Sequence, residues 1–364
     1  MINVDPNFWL SKNVLITGHT GFKGTWLSIW LQMMGANVSG ISLNPLYEPS
    51  LFYESGIENS IRSYISDIRD HKAMKSFIQD INPEVVIHMA AQPLVRDSYE
   101  NPIKTYETNV MGTISILESI RDLQNIRAFI NVTTDKCYEN NEWCWGYRET
   151  DALGGHDPYS ASKACSEIIT KSYERSFFHN MQIGVATVRA GNVIGGGDWS
   201  KDRLIPDVLY SLQKKESLII RNPNSIRPWQ HVLEPLAGYL ILAERLYLEN
   251  SSFSGAWNFG PNDSDARPVS WIVERMSEKW GCEPNYLFDN KENPHEANFL
   301  KLDISKSKNF LQWEPRWSID NSLDKVIEWH KEWIEGKDIR KLCEEQITSF
   351  LNTNNKVFNK INSQ

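Results

Sequence analysis

Tyr159 and Lys163 stand four apart in the segment YSASK, one turn of a helix, so both side chains leave the same face. A phenol is a poor base at its ordinary pKa of about 10. An ammonium beside it stabilises the phenolate and makes it useful for proton transfer at neutral pH. The segment VTTDKCY, starting at Val132, closes a β-rich run and brings Thr133 and Thr134 to the same sheet edge. The chemistry this predicts is proton transfer at neutral pH.

The segment TGHTGFKG from Thr17 offers a place for a dinucleotide pyrophosphate. Gly18, Gly21 and Gly24 recur every three residues between an apolar run and a helix-period stretch. Small residues at a strand–turn–helix let backbone N–H groups approach a pyrophosphate, and the helix N-terminus adds a favourable dipole. The acid that usually holds the adenosine ribose about twenty residues later is missing, because the second run ends Ser42-Leu43-Asn44-Pro45. No Arg or Lys replaces it to receive a 2′-phosphate, although Lys23 lies near.

The elements that must position these groups follow from periodicity. Apolar runs rich in Val and Ile start at Asn13, Asn37, Ser63, Glu84, Ala128 and Ile183. They read as strands buried on both faces of a parallel sheet. Helix-period stretches separate them. One carries Phe22, Trp26, Ile29, Trp30 and Met33 and stops at Gly35; another carries Ile103, Tyr106, Val110, Ile114 and Leu117 on one face. Strands alternating with helices predict a doubly wound, Rossmann-like α/β fold. After Gly195-Gly196-Gly197 the chain breaks into short Pro-containing pieces, with helical stretches over 232–248 and 269–280. The expected division is residues 1–194 as the dinucleotide-binding domain with the catalytic groups and 195–347 as mainly a smaller substrate-binding lobe. Some segments of that lobe return to the first domain, and 348–364 forms a frayed polar tail.

Composition removes other classes. With 38 Lys and Arg against 46 Asp and Glu, the 364-residue chain carries a net charge of −8, which speaks against backbone-driven nucleic-acid binding. Five scattered Cys without CxxC spacing indicate neither a disulfide framework nor a zinc site, and no other metal cluster is expected. No signal pattern and no membrane-length apolar run is seen, so a cytoplasmic protein without a membrane partner is expected. The 14 Trp read as packing residues.

Thr134, Tyr159 and Lys163, with HMAAQ from His88 and Asn109 on the intervening helix, resemble the active site of extended short-chain dehydrogenases acting on nucleotide sugars. The resemblance covers roughly residues 10 to 335. It implies NAD as cofactor, contacted by Gly18, His19, Gly21, Phe22, Lys23, Gly24, Ala90, Ala91, Gln92, Asn109, Thr133, Tyr159 and Lys163. Asp67 and Ile68, in SDIRD, resemble the pair around the adenine amino group, although Asp67 also suits a helix cap. Sugar-nucleotide 4,6-dehydratases of this family carry an acidic pair after the threonine, whereas epimerases generally lack it. Here Asp135 is followed by Lys136. That pair, with AAQPLVRDSY (holding Arg96), GGGDWSKDRLIPD and SIRPWQHV, is similar to the dehydratase branch acting on CDP-glucose.

The resemblance implies oxidation at carbon 4, loss of water across carbons 5 and 6, and hydride return to carbon 6, in 3,6-dideoxyhexose and O-antigen synthesis. Asp135 is the candidate acid at carbon 6. Lys136 occupies the place of the carbon-5 base, and two roles stay open: it takes that proton itself, or it orients Asp135. A plain salt bridge is the structural alternative. Asn192 resembles the asparagine at the sugar pyrophosphate, and Arg203, Arg227 and Arg267 are candidate phosphate clamps, since guanidinium binds phosphate bidentately. Leu204, Ile205, Trp229 and His231 beside them suit a nucleobase pocket. Competing readings are a dTDP-, UDP- or GDP-sugar dehydratase or 4-epimerase, and a catalytically silent nucleotide-binding protein. Family dimers imply a homodimer or dimer of dimers through the helices after Pro102 and around Tyr159.

Overall fold

The computed structural model describes residues 2–289 and 299–361. Its strands run β1 (Asn13–Thr17), β2 (Asn37–Ser42), β3 (Arg62–Ile65), β4 (Val85–His88), β5 (Ala128–Val132) and β6 (Gly184–Ala190). Then follow β7 (Asn192–Ile194), β8 (Leu218–Ile220), β9 (Ile226–His231), β10 (Gly255–Phe259), β11 (Ala266–Pro268) and β12 (Tyr286–Phe288). Seven strands form a parallel sheet in the order β10-β6-β5-β4-β1-β2-β3. Strand order reverses between β1 and β4, the switch point outside whose carboxyl ends such sheets bind ligands. β1, β4 and β5 are apolar along nearly their whole length because helices cover both faces.

The second lobe holds the sheets β11-β9-β7 and β12-β8. Its own core joins the helices Leu204–Lys214, Val269–Trp280 and Ile319–Ile334 through Ile205, Val208, Ile272, Met276, Leu323 and Val326. Not everything after residue 195 belongs to it. The helix Leu233–Glu249 is buried from Leu233 to Glu244 and packs with β10 into the main core. A helix apolar on nearly every side must be covered on every side.

Two expectations change. The tail expected from 348 begins inside the helix Ile339–Ile361, where Phe350 is fully buried against Trp30 and Trp317. One large aromatic among polar neighbours is enough to dock that turn; residues 362–364 lie outside the described residues. Of the expected stripe, Leu117 is fully buried in the core, Val110 and Ile114 are half-buried, and Ile103 and Tyr106 face outward. Ile103 is 74% exposed, while Thr105, Asn109, Thr113 and Ile116 point inward. The helix passes through a π-turn at Glu107–Met111, which shifts the register by one residue and aims Asn109 at the sheet edge.

Candidate active site

At the end of β1, Gly18 has φ +78°, and a Cβ there would lie 2.8 Å from the Ala90 nitrogen. A Cβ on Gly24 would lie 2.2 Å from the Gly18 carbonyl oxygen. Only glycine lets the turn close this tightly. Thr17 Oγ1 accepts from the Met89 and Ala90 amides, both at 3.1 Å, which ties β1 to the loop after β4. The helix Phe22–Met33 follows Gly21 with no side-chain cap, so its first amides stay available to an anion. These features fit a dinucleotide pyrophosphate.

Several expected cofactor residues act from underneath. The His19 ring is buried beside Gly40 and Phe52, with Nε2 2.7 Å from Ser63 Oγ. Burial lowers its pKa to about 4 and keeps it neutral. The Asn109 side chain is spent on the Gln92 backbone, while the Gln92 side chain donates to the Leu94 carbonyl and Thr105 Oγ1. The Gln92 amide donates to Asn109 Oδ1 at 2.8 Å, while Asn109 Nδ2 donates to the Gln92 carbonyl and to Ser162 Oγ. Their role is to brace the β4 loop, including Ala91 at the cleft, against the catalytic helix. Asp67 receives Arg69 at 2.7 Å, while Ile68 packs against Gly112. Asp70, not Asp67, caps the helix His71–Ile81.

The helix Pro158–Tyr173, capped by Asp157, carries Tyr159 and Lys163 into a cleft of about 800 Å³. Thr134 Oγ1 donates to Asp135 Oδ1 at 3.1 Å, accepts from the Lys136 amide at 3.3 Å, and meets the Tyr159 hydroxyl. Lys163 Nζ donates to the Val132 carbonyl at 2.8 Å. Burial lowers Lys163 to about 8, against the raising effect of Glu167. The expected depression of Tyr159 is not found. Burial pushes its phenol up to about 12, because desolvation outweighs the lowering effects of the Thr134 hydrogen bond and the Arg203 charge. Asp135 is buried with Oδ2 unpartnered. Burial raises its pKa, opposed by the Lys136 charge, which favours a protonated carboxyl able to act as an acid. Lys136 lines the cleft half-buried.

Two contributors escaped the sequence reading. Glu167, buried under the site, accepts from Thr133 Oγ1, Thr187 Oγ1 and Arg189, whose guanidinium binds it through Nε at 2.9 Å and Nη2 at 2.8 Å. Arg189 also donates to the Tyr138 hydroxyl at 2.6 Å. The signal was available: Glu167 follows Lys163 by four, as Lys163 follows Tyr159. Asp198, buried at the cleft, holds Arg203 at 3.0 Å. Nothing local in sequence marks that pair.

On the substrate side, Phe22, Lys23, Arg96, Asn192, Arg203 and Arg227 line the cleft, as do Leu204, Ile205 and Trp229. Burial, with Arg203 and Lys163 nearby, lowers Lys23 to about 8. Two expected members are elsewhere. His231 is a core residue between Trp26 and Trp317, since β9 turns its side chain inward there. Arg267 is exposed and lies over Trp271 at 5.1 Å; its carbonyl, not its guanidinium, reaches inward, to Trp229 Nε1. Among the described residues no cluster of metal-ligating side chains occurs.

The chain is 52% identical over 353 residues to the CDP-glucose 4,6-dehydratase of Salmonella typhimurium, covering 96% of this chain and 98% of that one. It is 26% identical to the UDP-glucuronate 4-epimerase of Thermodesulfobacterium geofontis, over 88% of this chain and 97% of the relative. The fold superposes on a dTDP-glucose 4,6-dehydratase from Bacillus anthracis solved with NAD, with a TM-score of 0.74 and 21% identity over 89% and 98% of the two chains. Over residues 15–326 the sequence matches the model of the GDP-mannose 4,6-dehydratase family, and to that family of extended short-chain dehydrogenases this chain belongs.

Proposed function

We propose that this chain is an NAD-dependent hydro-lyase that converts CDP-D-glucose to CDP-4-dehydro-6-deoxy-D-glucose. The observation that carries the reading is Asp135. Oxidation or epimerisation at carbon 4 needs only the tyrosine, the threonine and the lysine. A buried carboxyl beside them, with one oxygen unpartnered, supplies the further proton that loss of a hydroxyl requires. The 52% identity to the Salmonella enzyme supports the cytidine nucleotide and the glucose.

Tyr159 receives the proton of the sugar 4-hydroxyl, and Thr134 holds that hydroxyl in line. When bound, NAD supplies the hydride acceptor for carbon 4 and the later hydride for carbon 6, and its cationic ring favours the tyrosinate. Lys163, rigid on the Val132 carbonyl, presents the remaining N–H bonds of its ammonium to the cleft. The 4-ketone acidifies the carbon-5 hydrogen. In the first of the two roles open to it, Lys136 takes that proton and later returns it to carbon 5, while Asp135 protonates the departing 6-hydroxyl and water leaves. No Arg or Lys stands at the end of β2, where Thr20 Oγ1 bonds Ser42 Oγ and the Leu43 carbonyl, so a 2′-phosphate has no counter-charge there.

The test uses substrate deuterated at carbon 4. The expected product carries deuterium at carbon 6, with no net formation of reduced cofactor. Stoichiometric accumulation of NADH overturns the reading. The 4-keto-6-deoxy product suits a following step of 3,6-dideoxyhexose synthesis for surface polysaccharide. The outward stripe of Ile103, Tyr106 and Met111, with Ile168 exposed on the catalytic helix, supports a homodimer through these helices. Sedimentation as a monomer at micromolar concentration would refute that assembly. Among the described residues no helix is long and apolar enough to cross a membrane.

A further inference from the structure

Arg203 is the N-cap of the helix Leu204–Lys214, and Asp207 lies in the first turn, its amide bonded to the Arg203 carbonyl at 3.1 Å. Four residues of helix advance about 6 Å along the axis. Arg203 and Asp207 both line the cleft, and so do Leu204, Ile219, Trp229 and Val269, which offer flat apolar walls for a planar ring. The other carboxylates of this region are already engaged. Asp198 holds Arg203 and accepts from the Ser200 amide, both at 3.0 Å. Asp202 lies 3.7 Å from Arg96 and 3.4 Å from Arg221. The Asp207 carboxylate has neither a hydrogen bond nor an ion pair among the described residues.

The Asp207 carboxylate is half-buried at the cleft and is not committed to any protein group among the described residues, so it is available to a donor on a ligand. The nucleobases differ in what they offer. Cytosine presents an amino donor at its position 4, where uracil and thymine present a carbonyl acceptor. We infer that Asp207 reads the cytosine 4-amino group and is the residue that makes the cleft selective for cytidine over uridine and thymidine nucleotides. The inference rests on the CDP-sugar reading above, with Arg203 on the phosphates and the base one turn beyond. Burial raises the Asp207 carboxyl to about 6, against the lowering effect of Arg221, so it is ionised at neutral pH. A carboxylate there attracts the cytosine amino group and repels the 4-carbonyl of uracil.

Binding of CDP and of UDP to the cofactor-loaded protein, measured by calorimetry, tests this without relying on turnover. The unaltered protein is expected to bind CDP the more tightly. Asp207→Leu and Asp207→Asn should weaken CDP about 10- to 100-fold, the range of a charge-assisted hydrogen bond, and leave UDP unchanged or tighter. The CDP/UDP ratio should therefore collapse toward one in variants that keep the parent melting temperature. A preference for CDP that survives in a folded Asp207→Leu protein overturns the inference and leaves the function reading intact. If CDP is preferred through Asp207 but CDP-glucose is not dehydrated, the function reading fails and the base assignment stands. Equal binding of CDP and UDP by the unaltered protein overturns both.

Discussion

Asp135→Asn removes one ionisable proton from the cleft and changes almost nothing else. The amide keeps the side-chain shape, and its oxygen still accepts from Thr134 Oγ1, as Asp135 Oδ1 does at 3.1 Å. It cannot protonate a leaving hydroxyl. A positioned general acid contributes about 10²–10⁴-fold, which at about 1.36 kcal/mol per tenfold is a barrier increase of about 3–5 kcal/mol. Overall turnover should fall by that factor. Oxidation at carbon 4 should persist, because it draws on Tyr159, Thr134 and Lys163 alone. Mixed rapidly with substrate, the variant should therefore show bound reduced nicotinamide that decays slowly, read by its absorbance. Stability gives a second, independent readout. The Asp135 pKa is raised in the folded protein, so its contribution is fully present below the unfolded value of about 3.9 and is lost as pH rises through the folded value. Asparagine does not titrate, so the variant should gain stability relative to the parent as pH rises from about 4. Turnover within threefold of the parent would refute the acid role. Parallel stability curves would refute the raised pKa.

Tyr159→Phe keeps the ring and loses the hydroxyl, so kcat should drop about 10²–10⁴-fold with CDP affinity unchanged; near-normal kcat removes Tyr159 from the reaction. Lys136→Met separates the two roles left open for Lys136. If Lys136 takes the carbon-5 proton, the variant oxidises carbon 4 but incorporates no solvent deuterium at carbon 5, and exchange detected by mass spectrometry rules that role out. Glu167→Gln strips the charge from a pair with both side chains 3% exposed. It leaves Arg189 buried and unpaired and should cost about 3–5 kcal/mol in denaturant unfolding, so a loss below about 1 kcal/mol would show that Thr133 and Thr187 are held some other way.

The features legible in the sequence are those set by short spacings. The turn from β1 into the helix Phe22–Met33 needs glycine at Gly18 and Gly24 for reasons of close approach within a few residues. The shared face of Tyr159 and Lys163 follows from helical pitch, and the alternation of Val-rich runs with helices is enough for a parallel sheet. Spacing says which residues share a face, and stops there. What lies against that face depends on chain segments far away in sequence. The stripe from Ile103 to Leu117 has the periodicity of a core-facing helix, yet only Leu117 is fully buried and Ile103 and Tyr106 face outward, because a π-turn and small polar residues seat the other face on the sheet. His231 and Trp229 are two apart on β9, one against Trp26 and Trp317 in the core and the other on the cleft. Arg267 sits directly across from Arg227 in the ladder, but its guanidinium lies over Trp271. Phe350 docks against Trp30, 320 positions away. Charge state is equally nonlocal. Helical spacing puts Lys163 on the face of Tyr159, but the tertiary structure buries the phenol, which moves its pKa up. Desolvation depends on what surrounds a group in three dimensions, and no count of residues along the chain contains it.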